Sequence, residues 1–185
     1  MSVEILGAIE LLSIADGYRS LDAIVKAAPV TILKGEILNP GKFLILISGD
    51  VASVEISMDA GIEAAGEMLH DHLLIQSLNE QVLPALDSTN TPKEIDALGI
   101  IESVSVPGAI DAADKAAKEA DISIVSIKTG NETGGRGVLT FSGAVGDVQP
   151  AMDAAAAALQ TDGRLYSKVI IPGPHPDFKG FFSGN

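Results

Sequence analysis

Residues 38–60, LNPGKFLILISGDVASVEISMDA, decide the fold, because a related stretch returns at residues 134–154 as GGRGVLTFSGAVGDVQPAMDA. Each copy contains a loop with glycine or proline, an apolar run of strand length, a glycine turn and apolar residues at helical spacing. The copies share glycines, a serine, two valines and the tripeptide Met-Asp-Ala at matching positions. A repeat of this length indicates that the chain consists of two related units.

The segments around the repeat also recur in the same order. Leu-Gly-x-Ile-Glu stands at 6–10 and again at 98–102, and each copy is followed by a helical pattern. In the first half, Asp16-Gly17 is expected to end the first strand, and a helix is predicted from Leu21. Two further strands, a longer helix and a fourth strand from Leu73 follow, which gives the order βαββαβ. With right-handed crossovers, each half forms an antiparallel sheet with its helices on one face. The predicted fold class is α+β, with two tandem ferredoxin-like βαββαβ domains.

A polar segment, DSTNTPKEID, separates the two halves and has no apolar period. This composition is typical of a linker between domains. We therefore predict a first domain at 1–87, a linker at 88–95 and a second domain at 96–185.

The composition excludes several classes of function. A formal net charge of −13 opposes binding to nucleic acid or to an anionic membrane, because both need clustered Lys and Arg. The absence of cysteine excludes disulfides, thiolate catalysis and cysteine-ligated metal sites. No stretch reaches the roughly 20 apolar residues of a spanning helix, and no secretory signal precedes the first strand. We expect a soluble, cytoplasmic protein.

Two short motifs invite comparison with known binding sites. Residues 130–137, GNETGGRG, resemble a phosphate-binding loop, but Arg136, Gly137 and a predicted strand replace the Lys, the Ser or Thr and the helix that this loop needs. Residues 70–72, His-Asp-His, would point two imidazoles the same way on an extended segment, with Glu67 as the nearest further ligand. A surface turn between helix and strand is the favoured interpretation, and no metal site is predicted.

Glu10 and Glu102 occupy equivalent places in the two first strands, an arrangement that could suggest paired carboxylates for acid–base chemistry. Because each glutamate has the same position and local surroundings in its own repeat, a structural role is favoured. His175 stands between two prolines and is interpreted as a packing or hydrogen-bonding residue rather than a general base. The sequence thus predicts a protein that is not an enzyme and has no cofactor.

Several separated motifs resemble those of bacterial microcompartment shell proteins. Besides Leu-Gly-x-Ile-Glu, they are Asp-x-x-x-Lys-Ala-Ala at 22–28, Asn-Pro-Gly-Lys-Phe at 39–43, Ser-Gly-Asp-Val at 48–51 and Ile-Pro-x-Pro-His at 171–175. The double copy is similar to the tandem-domain, trimer-forming members of that family, of the PduT-like type. The resemblance runs from about Leu6 to Pro176.

By this resemblance, each half is one shell domain, and three chains form a flat, pseudo-hexameric trimer with a central pore for small polar metabolites. Trimers would join other shell proteins edge to edge in the microcompartment shell, inside the cytoplasm. The implied pore-lining residues are Leu38, Asn39, Pro40, Gly41, Gly130, Asn131, Glu132, Thr133, Gly134 and Gly135. The implied residues of the tile edge are Lys26, Lys118 and His175.

The chain departs from the family pattern at two positions. PduT-like proteins carry a cysteine in the position of Asn39, where three of them hold an iron–sulfur cluster, so no cluster is expected here. Single-domain relatives commonly have an arginine in the position of Gly173, so Lys26 and Lys118 must supply more of the lateral contact. The alternative is a trimeric ferredoxin-like regulatory protein that binds a small ligand in clefts between subunits.

Overall fold

A computed structural model describes residues 5–90, 95–131 and 133–177 of the 185-residue chain. The chain divides into two compact units. The first comprises residues up to 78 together with 105–107 and 130–135, and the second comprises 79–104, 108–129 and the residues from 136 onward. Both short segments of the first unit carry residues of the candidate site. Of the predicted linker, residues 91–94 lie outside the described residues.

A four-stranded antiparallel sheet with two helices forms the first unit, and its strand order is β2-β3-β1-β4. In chain order, the elements are β1 (Ile5–Leu11), α1 (Ile14–Ala27), β2 (Thr31–Leu38), β3 (Lys42–Ser48), α2 (Val51–Ala65) and β4 (Leu69–Gln76), with a 3-10 turn at Gly66–Met68. The central strands β1 and β3 are almost wholly apolar and buried. Their register places Ala8 opposite Leu46.

The second unit repeats this topology with the strand order β6-β7-β5-β8, again antiparallel. Its elements are α3 (Val82–Asp87), β5 (Ala97–Ser103), α4 (Val106–Glu119), β6 (Ile122–Thr129), β7 (Gly137–Gly143), α5 (Val145–Gln160) and β8 (Leu165–Pro172). A register shift follows Glu10 in β1, and another follows Glu102 in β5. The predicted α+β fold, with the order βαββαβ in each half, is confirmed. None of the helices described is long and apolar enough to cross a membrane.

Among the described residues, each core consists mainly of aliphatic side chains and contains one buried phenylalanine ring that lies on a glycine. Phe43 packs on α1, where a Cβ added to Gly17 would lie 2.3 Å from the Phe43 Cγ atom. In the second unit Phe141 lies over β5, where a Cβ added to Gly99 would lie 2.3 Å from Cζ of the ring. Because such contacts are far too short, both helix and strand approach the rings only through a residue without a side chain.

The predicted start of α1 is wrong. The helix begins at Ile14, so Asp16 and Gly17 lie in its first turn and do not end β1. Ser13 caps the helix, since its hydroxyl oxygen accepts the backbone N–H of Asp16 at 3.3 Å. A carboxylate in the first turn is also favoured by the helix dipole. The equivalent helix α4 begins at Val106.

Residues 70–72 lie in a strand and not in the predicted surface turn. β4 begins at Leu69, and its pairing places His72 opposite Ile9 and Asp71 opposite Glu10. Pairing with β1 therefore holds these residues in a strand, although polar residues of this kind do not predict a strand from sequence alone. Among the residues that the structure describes, no three His, Asp or Glu side chains could hold a metal ion.

The two equivalent helices α2 and α5 begin differently, which gives a first prediction. Asp50 caps α2 by accepting the backbone N–H of Ser53 at 3.0 Å, and hydrogen bonds from Ser53 hold the pKa of Asp50 below its usual value. The residue before α5 is Ala144, which makes no such bond although its φ of −61° and ψ of 150° suit a capping residue. We expect Ala144→Ser to raise the free energy of unfolding by about 1 kcal/mol, measured by urea unfolding. Ala144→Val is the control without a cap, and equal stability of the two variants would contradict the prediction.

Candidate functional site

Two tight loops of the first unit contain the predicted pore residues. The turn between β2 and β3 closes when the backbone N–H of Gly41 donates to the carbonyl of Leu38 at 2.9 Å. The loop between β6 and β7 closes in a similar way, from the N–H of Gly135 to the carbonyl of Gly130 at 3.1 Å. These bonds fix both loops as compact turns.

The two loops lie directly against each other within the first unit. The backbone N–H of Asn39 donates to Oδ1 of Asn131 at 3.2 Å, and its side-chain amide lies 3.5 Å from the carbonyl of the same residue. A Cβ added to Gly135 would lie 2.9 Å from Cδ of Pro40. Since Gly135 also has a φ of +83°, only glycine allows this approach.

A buried ion pair lies next to the loops and supports them through a hydrogen bond to the longer one. Nζ of Lys42 lies 2.7 Å from Oε1 of Glu10 and donates to the carbonyl of Gly135 at 2.8 Å. The Glu10 side chain is 0% exposed and that of Lys42 only 13%. His70 approaches the same carboxylate, with Nε2 at 3.9 Å from Oε1. A buried charge pair needs such additional hydrogen bonds to offset its desolvation.

The second oxygen of Glu10 receives a backbone hydrogen bond at the start of a helix. Oε2 accepts the N–H of Val106 at 2.6 Å. Beside it, the hydroxyl of Ser105 donates to Oδ2 of Asp71. A carboxylate at a helix N-terminus is favoured by both the unpaired N–H groups and the dipole. These contacts indicate a structural role for Glu10, since each of its carboxylate oxygens accepts a hydrogen bond.

The second unit contains an equivalent pair in a more exposed setting. Arg136, directly before β7, donates to Oε2 of Glu102 at 2.7 Å, and its guanidinium lies 3.9 Å above the ring of Tyr166. The side chains of Arg136 and Glu102 are 37% and 31% exposed. The expected structural role of both glutamates therefore agrees with their contacts.

Several of the predicted pore-lining residues are less exposed than residues that line a pore are expected to be. Leu38, Gly130 and Gly135 are buried, and Gly41 and Thr133 are partly buried. The exposed members are Asn39, Pro40, Asn131 and Gly134. Glu132 lies outside the described residues. The loop from 130 leads into strand β7 and not into a helix, so it lacks the helix N-terminus of a phosphate-binding loop.

The predicted edge lysines occupy matching positions at the ends of α1 and α4. Lys26 lies 2.6 Å from Asp22, and Lys118 lies 2.6 Å from Asp114, each four residues along its helix. Both lysines are exposed. The side chain of His175 is also exposed, and its Nδ1 accepts the backbone N–H of Asp177 at 3.3 Å.

The comparisons with known proteins agree with this duplicated architecture. The BMC domain model matches residues 6–78 and again 97–174. Over 170 residues the chain is 36% identical to the microcompartment shell protein PduT of Citrobacter freundii, and the match covers 92% of each protein. The chain belongs to the bacterial microcompartment shell proteins. It carries two of their domains.

Two further similarities describe this shell protein by its halves and as a whole. The shell protein PduA of Citrobacter freundii is 39% identical over 84 residues, which are 44% of this chain and 86% of PduA. A crystal structure of a microcompartment protein from Desulfitobacterium hafniense DCB matches with a TM-score of 0.83 at 37% identity, over 97% of this chain and 99% of that one. One half of this shell protein thus corresponds to a single-domain relative, and the whole chain to tandem ones.

The family assignment confirms the predicted role. The protein is a structural component of a bacterial microcompartment shell, where it assembles with other shell proteins. The family is structural. The regulatory alternative is therefore the weaker hypothesis.

Sequence reasoning missed the two equivalent ion pairs of this shell protein. Lys42 begins the third strand of the first repeat, and Arg136 directly precedes the third strand of the second. Each contacts the equivalent glutamate on the neighbouring strand. The available signal was a cation two residues before the strand partner of each glutamate, since Leu44 lies opposite Glu10 and Val138 lies opposite Glu102. It becomes visible only when the antiparallel register of the central strands is known.

Proposed function

We propose that three copies of this shell protein close into a ring whose central opening is surrounded by the exposed turns at Asn39 and Asn131. The hydrogen-bonded contact between these two residues carries the proposal. It joins equivalent loops from the two repeats side by side, as alternating segments around one opening require. Repetition in three chains would complete a rim with pseudo-sixfold symmetry.

The chemistry of this rim favours small polar metabolites. Asn39 and Asn131 supply neutral amide groups, which both donate and accept hydrogen bonds. The exposed glycine of the longer loop, Gly134, leaves backbone groups accessible. A ring of such groups gives a solute short-lived hydrogen bonds, which is how a selective passage conducts.

Lys26 and Lys118 would lie at the outer edge of the ring, and His175 would lie close to the same edge. Each lysine is oriented by an aspartate four residues earlier. An ammonium group has three N–H donors, so an oriented lysine still offers donors to the carbonyls of a neighbouring tile. Repetition of this geometry in both units suits edges that are equivalent around the ring.

The variant Asn39→Cys tests whether the turns meet at an axis. The chain has no cysteine, so three copies would bring three thiols, and no others, to the opening. Thiolates are good ligands for a tetrahedral divalent metal such as Co²⁺. We expect one tightly bound Co²⁺ per three chains, with thiolate charge-transfer absorption, in a species of trimeric mass. Glu55→Cys, on the exposed face of α2, is the matched control and should bind Co²⁺ weakly.

Two results would contradict the proposal. Monomeric wild-type protein in solution would exclude the ring. A trimeric Asn39→Cys variant that binds Co²⁺ no better than Glu55→Cys would place the turns away from the axis.

A further inference from the structure

The two equivalent helices α1 and α4 differ in exposure although they have the same place in the repeat. Tyr18 on α1 is 57% exposed, whereas its counterpart Ile110 on α4 is fully buried. The side chain of Asp22 is 60% exposed, whereas that of Asp114 is 0% exposed. The same surface is therefore covered on α4 and open on α1.

The segment that follows β4 covers part of α4. In the second unit, the backbone N–H of Asn79 donates to Oδ1 of Asp114 at 2.9 Å, and its side-chain amide lies 3.4 Å from the carbonyl of Ala117. The turn that leads into this segment contains Ser77, with a φ of +58°.

The same turn is present after β8 and leads to an exposed residue. Gly173 has a φ of +56° and follows Pro172, the counterpart of Gln76 in the strand register. His175 is thus the counterpart of Asn79. Its side chain is 71% exposed.

The start of α4 is covered in a comparable way within the first unit. Val106 donates its N–H to Glu10, and Ser105 donates its hydroxyl to Asp71. By position, the counterparts of Ser105 and Val106 are Ser13 and Ile14, at the start of α1. By strand register, the counterparts of Glu10 and Asp71 are Glu102 and Ser167.

We infer that α1 of one copy docks on a second copy through the counterparts of these contacts. The N–H of Ile14 meets the carboxylate of Glu102, Ser13 meets Ser167, and Asp22 accepts the backbone N–H of His175. The inference rests on the proposed ring and names the residues that close it. Because the two surfaces differ, the contact runs head to tail, which is the kind of interface that generates rings.

A second copy of this chain is the occupant that the observations favour. Every contact in the inferred interface already exists once inside the chain, between the equivalent residues of the other repeat. Charge agrees as well, since the carboxylate of Glu102 would meet the positive end of the α1 dipole. The exposed ring of Tyr18 would be covered, as Ile110 is covered on α4.

The variant Ser13→Cys with Ser167→Cys tests the contact directly. The counterpart side chains, Ser105 and Asp71, are in hydrogen-bond contact. A disulfide needs Cβ atoms about 3.5–4.5 Å apart, so the same pair of positions within one chain serves as the control for geometry. The chain contains no other cysteine. On mild oxidation we expect covalent dimers and covalent trimers, and no larger species, in a gel run without reductant.

Matched controls use the same surfaces. Asp71→Cys with Ser105→Cys should oxidise within one chain, so its mass stays monomeric in the same gel while two hydrogens per chain are lost. Ser13→Cys alone and Ser167→Cys alone should give no covalent oligomer, because a head-to-tail contact never brings identical positions together. Covalent dimers from either single variant would overturn the head-to-tail arrangement.

The outcomes separate this inference from the proposed function. Trimeric protein whose double variant forms no disulfide between chains would overturn the inferred interface and leave the ring standing. Wild-type protein that never forms a trimer would overturn both. Covalent trimers from the double variant alone would support both.

The variant Ile14→Pro tests the hydrogen bond to Glu102 without a crosslink. Proline is well tolerated at the first position of a helix, and Ser13 has the extended backbone that precedes proline, with φ −136° and ψ 128°. Ile14→Val also loses side-chain volume but keeps the N–H. We expect the trimer of Ile14→Pro to dissociate at a concentration at least ~10-fold higher than that of Ile14→Val. Equal dissociation of the two variants would overturn the assigned hydrogen bond.

Discussion

Lys42→Met is expected to lower the free energy of unfolding by about 3–5 kcal/mol, because it leaves the carboxylate of Glu10 buried without its cation. The Glu10 side chain is 0% exposed, and the lysine Nζ lies 2.7 Å from it. The variant also removes the hydrogen bond to the carbonyl of Gly135, and with it one support of the longer loop. Urea unfolding at one fixed protein concentration measures the change, since assembly contributes to the apparent stability.

Two controls separate burial of the charge from loss of a lysine. Lys26→Met removes an exposed pair within one helix and should cost no more than about 0.5 kcal/mol. Glu10→Gln added to Lys42→Met should recover part of the loss, because the amide oxygen still accepts the N–H of Val106 but carries no charge. A loss from Lys42→Met no larger than that from Lys26→Met would show that the buried pair does not stabilise the unit.

Lys26→Ala combined with Lys118→Ala is expected to abolish extended sheets while trimers persist. Both lysines are exposed at the ends of equivalent helices, and both ammonium groups are held by an aspartate of their own helix. Their removal takes away the oriented donors that we assign to the contact between tiles. The carbonyls across that contact then lose their partners. Electron microscopy of concentrated protein measures sheet formation, and native mass measures the trimer.

The control for this variant keeps the same change in net charge. Lys115→Ala with Lys168→Ala removes two other exposed lysines, on α4 and β8. Sheets should persist in this control. Sheets that survive in the first variant would refute the edge assignment, and sheets lost equally in both would attribute the effect to net charge.

The repeated topology was predictable because it is encoded locally. The apolar run from Phe43 to Ile47, the break at Gly49-Asp50 and the helical spacing after it are all signals between near neighbours in sequence. The same signals recur in the second half, so the topology could be predicted independently from each half of the chain. The family resemblance rested on motifs of the same local kind, and the BMC domain matches confirm it.

The contacts that build the site were less predictable because they join distant residues. Asn39 and Asn131 were both proposed for the opening, but their hydrogen bond could not be read from either loop alone. The pairing of Lys42 with Glu10 depends on strand register, and the extension of β4 over His70 depends on its partner strand. The start of α1 was predicted wrongly for a related reason. Gly17, which in sequence suggests a turn, is required inside the helix by the ring of Phe43.

The unequal loops at residues 39–41 and 130–136 bear on how this lineage can evolve. In an assembly of six identical domains, every substitution near the axis is made six times, so steric and charge changes are amplified. In the proposed ring of three fused chains, the same substitution would be made only three times, so alternate positions could diverge. A bulky or charged replacement in one loop could be balanced by the other, and the proposed opening could then admit new solutes in small steps.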